Sequence, residues 1–239
     1  GNADCPGVGE FTVEVSEVPR PFIRGDANIC TEGRQSTILR ATAGFQSYEW
    51  QNVQGSSSLE FFEIDSTGLV TLTVVDANNC PTTDSVVVEL LPEPIPEVMG
   101  DGNLCTGGLD TLSVGDNVFS ATWSGPGFRP LDILVQSVEV NQPGIYNVEI
   151  EDTLGCVGRN TFEVIDRPNP IPSITGDLTF CQNESTILSA PDGFSTYFWS
   201  TGDTSQVIIV DSVFTIDLTV VDTFGCRGST SEVLDTFPL

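Results

Sequence analysis

Gly144-Ile-Tyr-Asn-Val-Glu-Ile-Glu-Asp152-Thr-Leu-Gly-Cys156 is the stretch whose reading decides the fold. Tyr146, Val148 and Ile150 alternate with Asn147, Glu149 and Glu151. Period two with one apolar face is a half-buried antiparallel strand. Asp152-Thr-Leu-Gly then supplies turn residues, and the β-prone run Thr161–Ile165 follows the cysteine, so the block predicts a hairpin. The block occurs twice more, as Val70-Thr-Leu-Thr-Val-Val-Asp76-Ala-Asn-Asn-Cys80 and as Ile216-Asp-Leu-Thr-Val-Val-Asp222-Thr-Phe-Gly-Cys226.

Working outward, the hairpin cysteines belong to a repeat. Cys5, Cys80, Cys156 and Cys226 form one series, and Cys30, Cys105 and Cys181 a second, each member of which follows a member of the first by 25 residues. Members of the second series are 75 and 76 residues apart. The stretches Pro19-Arg-Pro21 to Gly25-Asp26, Pro94-Ile-Pro96 to Gly100-Asp101 and Pro170-Ile-Pro172 to Gly176-Asp177 recur between the copies. A fixed period of this kind marks a modular array. The expected domains are 19–93, 94–167 and 168–239, while 1–18 aligns with the tail of a preceding or partner repeat.

Within each unit a short strand is expected at Thr37-Ile-Leu39, Thr111-Leu-Ser113 and Thr186-Ile-Leu188. The next strand carries the three tryptophans, Trp50, Trp123 and Trp199, one per unit. Flanking alternation turns each indole inward as a core anchor; the rival arrangement is an exposed row of rings for sugars. No stretch has helical periodicity with caps. The chain is therefore all-β, with about seven short strands per sandwich.

Composition excludes more chemistry than it suggests. The chain has no histidine and no lysine, only eight basic residues against 34 acidic ones, and a formal net charge of −26. Without those two residue types there is no Ser-His or Cys-His nucleophile pair, no Schiff-base lysine and no histidine metal ligand. Carboxylate pairs such as Glu149/Glu151 and Asp217/Asp222 fall on the wet faces of strands. An enzyme is not expected. Strong negative charge disfavours nucleic acid and anionic membranes, and no apolar run is long enough to span a bilayer. Residues 1–20 lack a signal-peptide pattern. A regular cysteine framework without Cys-x-x-Cys points to an oxidising, extracytoplasmic setting.

Taken together, the opening turn after Cys30, the Thr-apolar strand, the central Trp and the Asp-x-x-(Gly/Asn)-Cys hairpin resemble the immunoglobulin-like and PKD-like repeats of Bacteroidota surface proteins exported by the type IX route. The chain departs from that pattern at Gly107 and Asn79. The resemblance implies three tandem immunoglobulin-like β-sandwich domains in an extracellular structural or adhesive protein on a bacterial surface, a stalk or filament. The alternative is a carbohydrate- or protein-binding accessory module of a larger secreted protein, with the insertion Gly125-Pro-Gly-Phe-Arg-Pro130 as its variable loop. The same lineage implies O-glycan acceptors at Ser85, Thr111, Thr153 and Ser212, each in an Asp-(Ser/Thr)-apolar triplet. Asn183-Glu-Ser185 matches an N-glycan acceptor.

Three further expectations concern the joints. In an immunoglobulin-like sandwich the second-series cysteine lies at one end of the domain and the hairpin cysteine at the other. Strands of about 17–20 Å keep those ends beyond the ~7 Å that a bridge allows. This argues for inter-domain bridges Cys30–Cys156 and Cys105–Cys226, with Cys5, Cys80 and Cys181 paired to flanking repeats; the alternative within repeats is Cys30–Cys80, Cys105–Cys156 and Cys181–Cys226. Calcium is a candidate ligand of Asp26, Asp101 and Asp177 at the domain entrances with Asp76, Asp152 and Asp222 in the hairpins. No other cofactor is expected. Finally, Phe11, Val13 and Val15 form one face of a strand that needs a sheet from a neighbouring repeat or an identical subunit.

Overall fold

The computed structural model describes residues 10, 12, 20–52, 55–116, 118–128 and 135–237. Phe11, Val13, Val15 and Cys5 lie outside the described residues. The chain divides into two compact units, Gly1–Glu93 and Pro94–Leu239.

In the first unit, Ile23–Arg24, Thr37–Ala41 and Phe61–Ile64 form one sheet. The other has the order Asn28–Cys30, Pro81–Leu91, Gly68–Val75, Ser47–Gln51, Ser56–Ser57. Every ladder is antiparallel except that of Asn28–Cys30, which runs parallel to the last strand. The first strand thus begins on one sheet and ends on the other. Gly25 makes the crossing at φ 127°, where a Cβ would lie 2.6 Å from the Ile38 carbonyl oxygen. The inward faces meet in a core that includes Ile29, Leu39, Trp50, Ile64, Leu72 and Val88.

The second unit contains two sandwiches of the same plan. One pairs Val98–Met99, Asp110–Val114 and Ser137–Val140 against a sheet ordered Asn103–Cys105, Val157–Arg167, Gly144–Asp152, Val118–Ser124. The other pairs Thr175–Gly176, Thr186–Ser189 and Val207–Val210 against Thr196–Trp199, Thr215–Val221 and Arg227–Val233. There the parallel contact is made by Thr179–Cys181 with Asp235–Phe237. Their cores share no residue: one is centred on Trp123 and Tyr146, the other on Trp199, Leu218 and Leu234. All-β sandwiches of immunoglobulin-like topology are what the period-two pattern called for.

Each indole is buried, and each donates its N–H to a backbone carbonyl: Trp50 to Leu59 at 2.9 Å, Trp123 to Val135 at 2.9 Å and Trp199 to Ser205 at 2.8 Å. A buried Trp needs that partner. The exposed-row arrangement is thereby overturned. A large and a small residue trade places between the Trp strand and the hairpin strand. Tyr48 accompanies Val70, Tyr197 accompanies Ile216, and in the middle sandwich Ala121 accompanies Tyr146. Tyr146 donates its hydroxyl to the Gln142 carbonyl at 2.7 Å, the tyrosine-corner geometry of such sandwiches.

The short strand of the middle repeat is one residue out of the expected alignment. Leu112, not Ser113, takes the buried place of Leu39 and Leu188, so Asp110 stands where Thr37 and Thr186 do. A one-residue slip turns every side chain over. Thr37 and Thr186 donate their hydroxyls to the carbonyls of Asp26 and Asp177. Asp110 instead accepts the amide of Gly102 at 3.0 Å, holding the same crossing by the reverse polarity.

Candidate functional site: the joint between sandwiches

The hairpins that carry the cysteines are built alike. Asp76 Oδ1 accepts the amides of Asn78 and Cys80 at 2.9 and 2.8 Å. Asp152 Oδ1 accepts those of Leu154 and Cys156 at 2.8 and 2.9 Å, and Asp222 Oδ1 those of Phe224 and Cys226 at 2.8 and 2.9 Å. The residue before each cysteine has positive φ: Asn79 at 60°, Gly155 at 82° and Gly225 at 83°. Asn tolerates this region better than other side chains, which explains the departure at Asn79. The repeated aspartate is therefore a structural clasp that fixes where the thiol sits.

At the other end of each sandwich, the second-series cysteine ends the parallel strand. Cys105 lies opposite Arg167 in that ladder, Cys181 opposite Phe237 and Cys30 opposite Leu91. Within the second unit the two kinds of end meet. Cys105 of the middle sandwich is bonded to Cys226 in the hairpin of the last one, with Cα atoms 5.3 Å apart. Cys226 is fully buried there. Around the bond, the Arg167 guanidinium lies 3.8 Å from the Phe224 ring centroid, its Nε donates to Asn103 Oδ1 at 2.8 Å, and Asn169 Nδ2 donates to the Thr106 carbonyl at 3.3 Å. A cation over an aromatic face at that distance attracts the ring quadrupole. The contact joins the end of one sandwich to the hairpin of the next.

Cys30 and Cys156 each take part in a disulfide, whereas Cys80 and Cys181 are free thiols. The within-repeat alternative is thus corrected: Cys80 is not bonded to Cys30, Cys105 is bonded to Cys226 and not to Cys156, and Cys181 is not bonded to Cys226. The physical reason is the length of the sandwich, which holds its two cysteines at opposite ends.

The linker between these sandwiches is clamped to the one that follows it. A Cβ on Gly228 would sit 1.7 Å from the Pro170 carbonyl oxygen, and one on Gly158 would sit 1.7 Å from that of Pro94. Only a glycine lets the chain approach so closely. Asn160 Nδ2 adds a bond to the Pro96 carbonyl at 2.8 Å. Sequence reading noted the prolines and missed these glycines, although Cys-x-Gly in two of the three hairpins was there as a signal.

The aspartates named as calcium candidates hold protein groups in this structure. No group of three acidic or cysteine side chains that could hold a metal occurs among the described residues. Besides the hairpin clasps, Asp26 holds Arg34 at 2.7 Å and Asn28 at 2.8 Å, and Asp101 accepts from Asn103 at 3.2 Å. Arg34 and then Asn28 draw the Asp26 carboxyl below its ordinary pKa. Asp177 lines a depression around Cys181 together with Glu184.

Ser85, Thr111, Thr153 and Ser212 are all exposed. Three of the preceding aspartates have structural work of their own. Asp84 accepts the amide of Ile23 at 3.1 Å, Asp110 that of Gly102, and Asp152 clasps its hairpin. Asn183 of the N-glycan triplet has φ 70° in the turn after Cys181.

No protein-family model matches the chain, and no curated protein matches it. Among solved structures, it is similar to a 1.5-MDa bacterial ice-binding adhesin at 11% identity and TM-score 0.38, over 93% of this chain and 100% of the other. It is similar to immunoglobulin domains 1–5 of Sidekick-1 at 12% identity and TM-score 0.34, over 94% and 60% of the two chains. A third likeness is to the SGBP-B protein of the Bacteroides ovatus mixed-linkage glucan utilization locus, in complex with a mixed-linkage heptasaccharide, at 15% identity and TM-score 0.21, over 93% and 72%. At these scores none of the three bears on what this chain does.

Proposed function

We propose that this chain is a non-enzymatic structural array, a stretch of extracellular stalk or filament whose sandwiches serve to hold distance and stiffness outside a bacterial cell. The observation that carries this reading is the Cys105–Cys226 bond between adjacent sandwiches. A disulfide that stabilised one fold would close a loop within that fold. This one closes a loop of 121 residues across two cores and so restrains their relative rotation. The joint then has two covalent connections, the proline linker and the disulfide, where a flexible tether would have one. Persistence of the bond requires an oxidising compartment, in agreement with export. The resemblance to type IX exported repeats belongs to the same reading, as does an adhesive role for the exposed strand faces.

The test is the freedom of the joint. Fluorophores introduced by a cysteine-independent route at Thr111 and Ser212, both exposed and in adjacent sandwiches, report the inter-domain distance in single molecules. A narrow distribution is expected, broadening when Cys105 and Cys226 are both replaced by serine. Equal widths in the two proteins would remove the structural-array reading.

A further inference from the structure

Two arginines face each other on the outer surface of the first sandwich. Arg24 and Arg40 are partners across the ladder of Ile23–Arg24 with Thr37–Ala41, and Phe61 stands opposite Arg40 on the next strand. Leu39 lies in the core and Ile23 packs against it, so by alternation Arg24, Arg40 and Phe61 point outward, and all three are exposed. The Arg40 guanidinium lies 5.6 Å from the Phe61 ring centroid. Phe22, two residues before Arg24 and therefore on the same face, is 61% exposed. Its carbonyl accepts the Thr42 amide at 3.1 Å, which extends the ladder by one place.

The fold has no need of this pair. Like charges directly opposite each other destabilise a sheet. Neither arginine has a carboxylate partner among the described residues. Glu63, two residues along from Phe61, accepts the Ser36 hydroxyl at 2.9 Å instead. The other two sandwiches fill the same positions with neutral residues: Met99, Ser113 and Ser137 in the middle one, Thr175, Ser189 and Val207 in the last. There Thr175 and Ser189 bond to each other through their hydroxyls at 2.8 Å. The sandwich therefore forms without the arginines, and a chain of net charge −26 sets two of its eight basic residues side by side at a cost in stability.

We infer that this face of the first sandwich is a docking surface for an acidic segment of a partner protein, with Arg24 and Arg40 each taking a carboxylate and Phe22 and Phe61 supplying apolar contact. A guanidinium stacked on a ring keeps its N–H edge free for a bidentate bond to a carboxylate. Stems about 5 Å apart across a ladder match acidic side chains on one face of an extended segment, which recur about every 6.6 Å. Arginine and aromatic rings are also what protein interfaces enrich. A sugar would need free polar groups to read its hydroxyls. Here Thr42 gives its hydroxyl to the Phe22 carbonyl at 3.1 Å, and Glu63 is held by Ser36. Elsewhere the acidic surface of the chain repels such a segment, which confines it to this face. The inference rests on the adhesive part of the reading above and names the partner's chemistry.

The test uses the full chain and a short fluorescein-labelled peptide of alternating glutamate and serine, with binding read by fluorescence anisotropy at low salt. Saturable binding is expected, falling as sodium chloride is raised, because exposed charges are screened. Arg24→Met combined with Arg40→Ser, the residues that the middle sandwich uses, should weaken it about tenfold or more. Salt acts on the unaltered chain and so reads the contact independently of how the variant folds. No binding to the unaltered chain at low salt, binding indifferent to salt, or equal affinity in the variant would overturn the inference. So would binding of polygalacturonate in place of the peptide. Sedimentation of the chain alone as a species larger than monomer, dispersed in the variant, would make a second copy the occupant and overturn it as well. Failure here leaves the joint test untouched, since that test reads one molecule across Cys105–Cys226.

Discussion

Adding one methyl group to Gly158 tests whether the proline linker is held or merely tethered. The new Cβ would lie 1.7 Å from the Pro94 carbonyl oxygen and 2.7 Å from its carbon. A carbon–oxygen contact needs about 3.3 Å, so linker and strand must separate by about 1.6 Å. If the linker yields, it loses its seat along the last strand together with the Asn160 bond to the Pro96 carbonyl. If the strand yields, the cost is that of overpacking. Either route costs about 1–3 kcal/mol. For a sandwich of this size, each kcal/mol lowers the melting temperature by about 4–8 °C, so Gly158→Ala should melt roughly 4–24 °C lower by calorimetry. Gly115→Ala is the control, because a Cβ there meets nothing within 4 Å. Equal melting of the two variants would refute the clamp. Gly228→Ala, against the Pro170 carbonyl, should repeat the effect in the last sandwich.

Trp123→Ala removes a fully buried indole and its bond to Val135, and should cost about 3–5 kcal/mol in urea unfolding; a loss below about 1 kcal/mol would place the indole outside the core. Asp222→Ala strips two amides of their acceptor and should cost roughly 2 kcal/mol, while Asp222→Asn, which keeps Oδ1, should recover most of it in the same melt. Asp26 contributes a pH dependence of known sign. Its folded pKa is depressed, chiefly by the Arg34 bond and then by Asn28, so its stabilisation is present above the unfolded value and lost as pH falls through the folded one. Below about pH 4 the first unit should lose melting temperature more steeply than its Asp26→Asn variant, and parallel slopes would dismiss the role.

The architecture was legible because alternation along a half-buried strand is a direct record of burial. Val70, Leu72 and Val74, Tyr146, Val148 and Ile150, and Ile216, Leu218 and Val220 are the buried faces of the three hairpin strands, as period two requires. Alternation says nothing about what a polar side chain holds. The entrance and hairpin aspartates therefore looked like loose acid suited to calcium, although each hairpin carboxylate is occupied by two amides. The misalignment at Thr111 has a similar origin. Thr-apolar matched by letter, but the buried Leu112 had to align with Leu39 and Leu188, which put an acid in the place of a threonine. The clamp glycines were opaque for a different reason. A close approach of two backbones leaves no trace in a hydrophobic pattern, only an absence of side chain, and Thr82 occupies that position in the first repeat.

Bonding pattern and period together determine what kind of mechanical object such a chain is. If each repeat bridged its own cysteines, every bond would resist unfolding of its sandwich and none would resist bending between them. At the described joint the bond runs instead from the strand end of one sandwich to the hairpin of the next, beside a linker whose Pro170 carbonyl is seated under Gly228. Bending this joint requires either opening the stacked Arg167–Phe224 contact or moving the linker off its strand. Unfolding the last sandwich alone, by contrast, leaves Cys226 attached to Cys105, so a pulled chain extends only as far as the bond permits. Extension under load should therefore come in a first increment shortened by the 121-residue closed loop, and should lengthen on reduction. Force spectroscopy of the oxidised and reduced chain reads that difference directly, and equal increments in the two states would mean that the bond lies outside the load path.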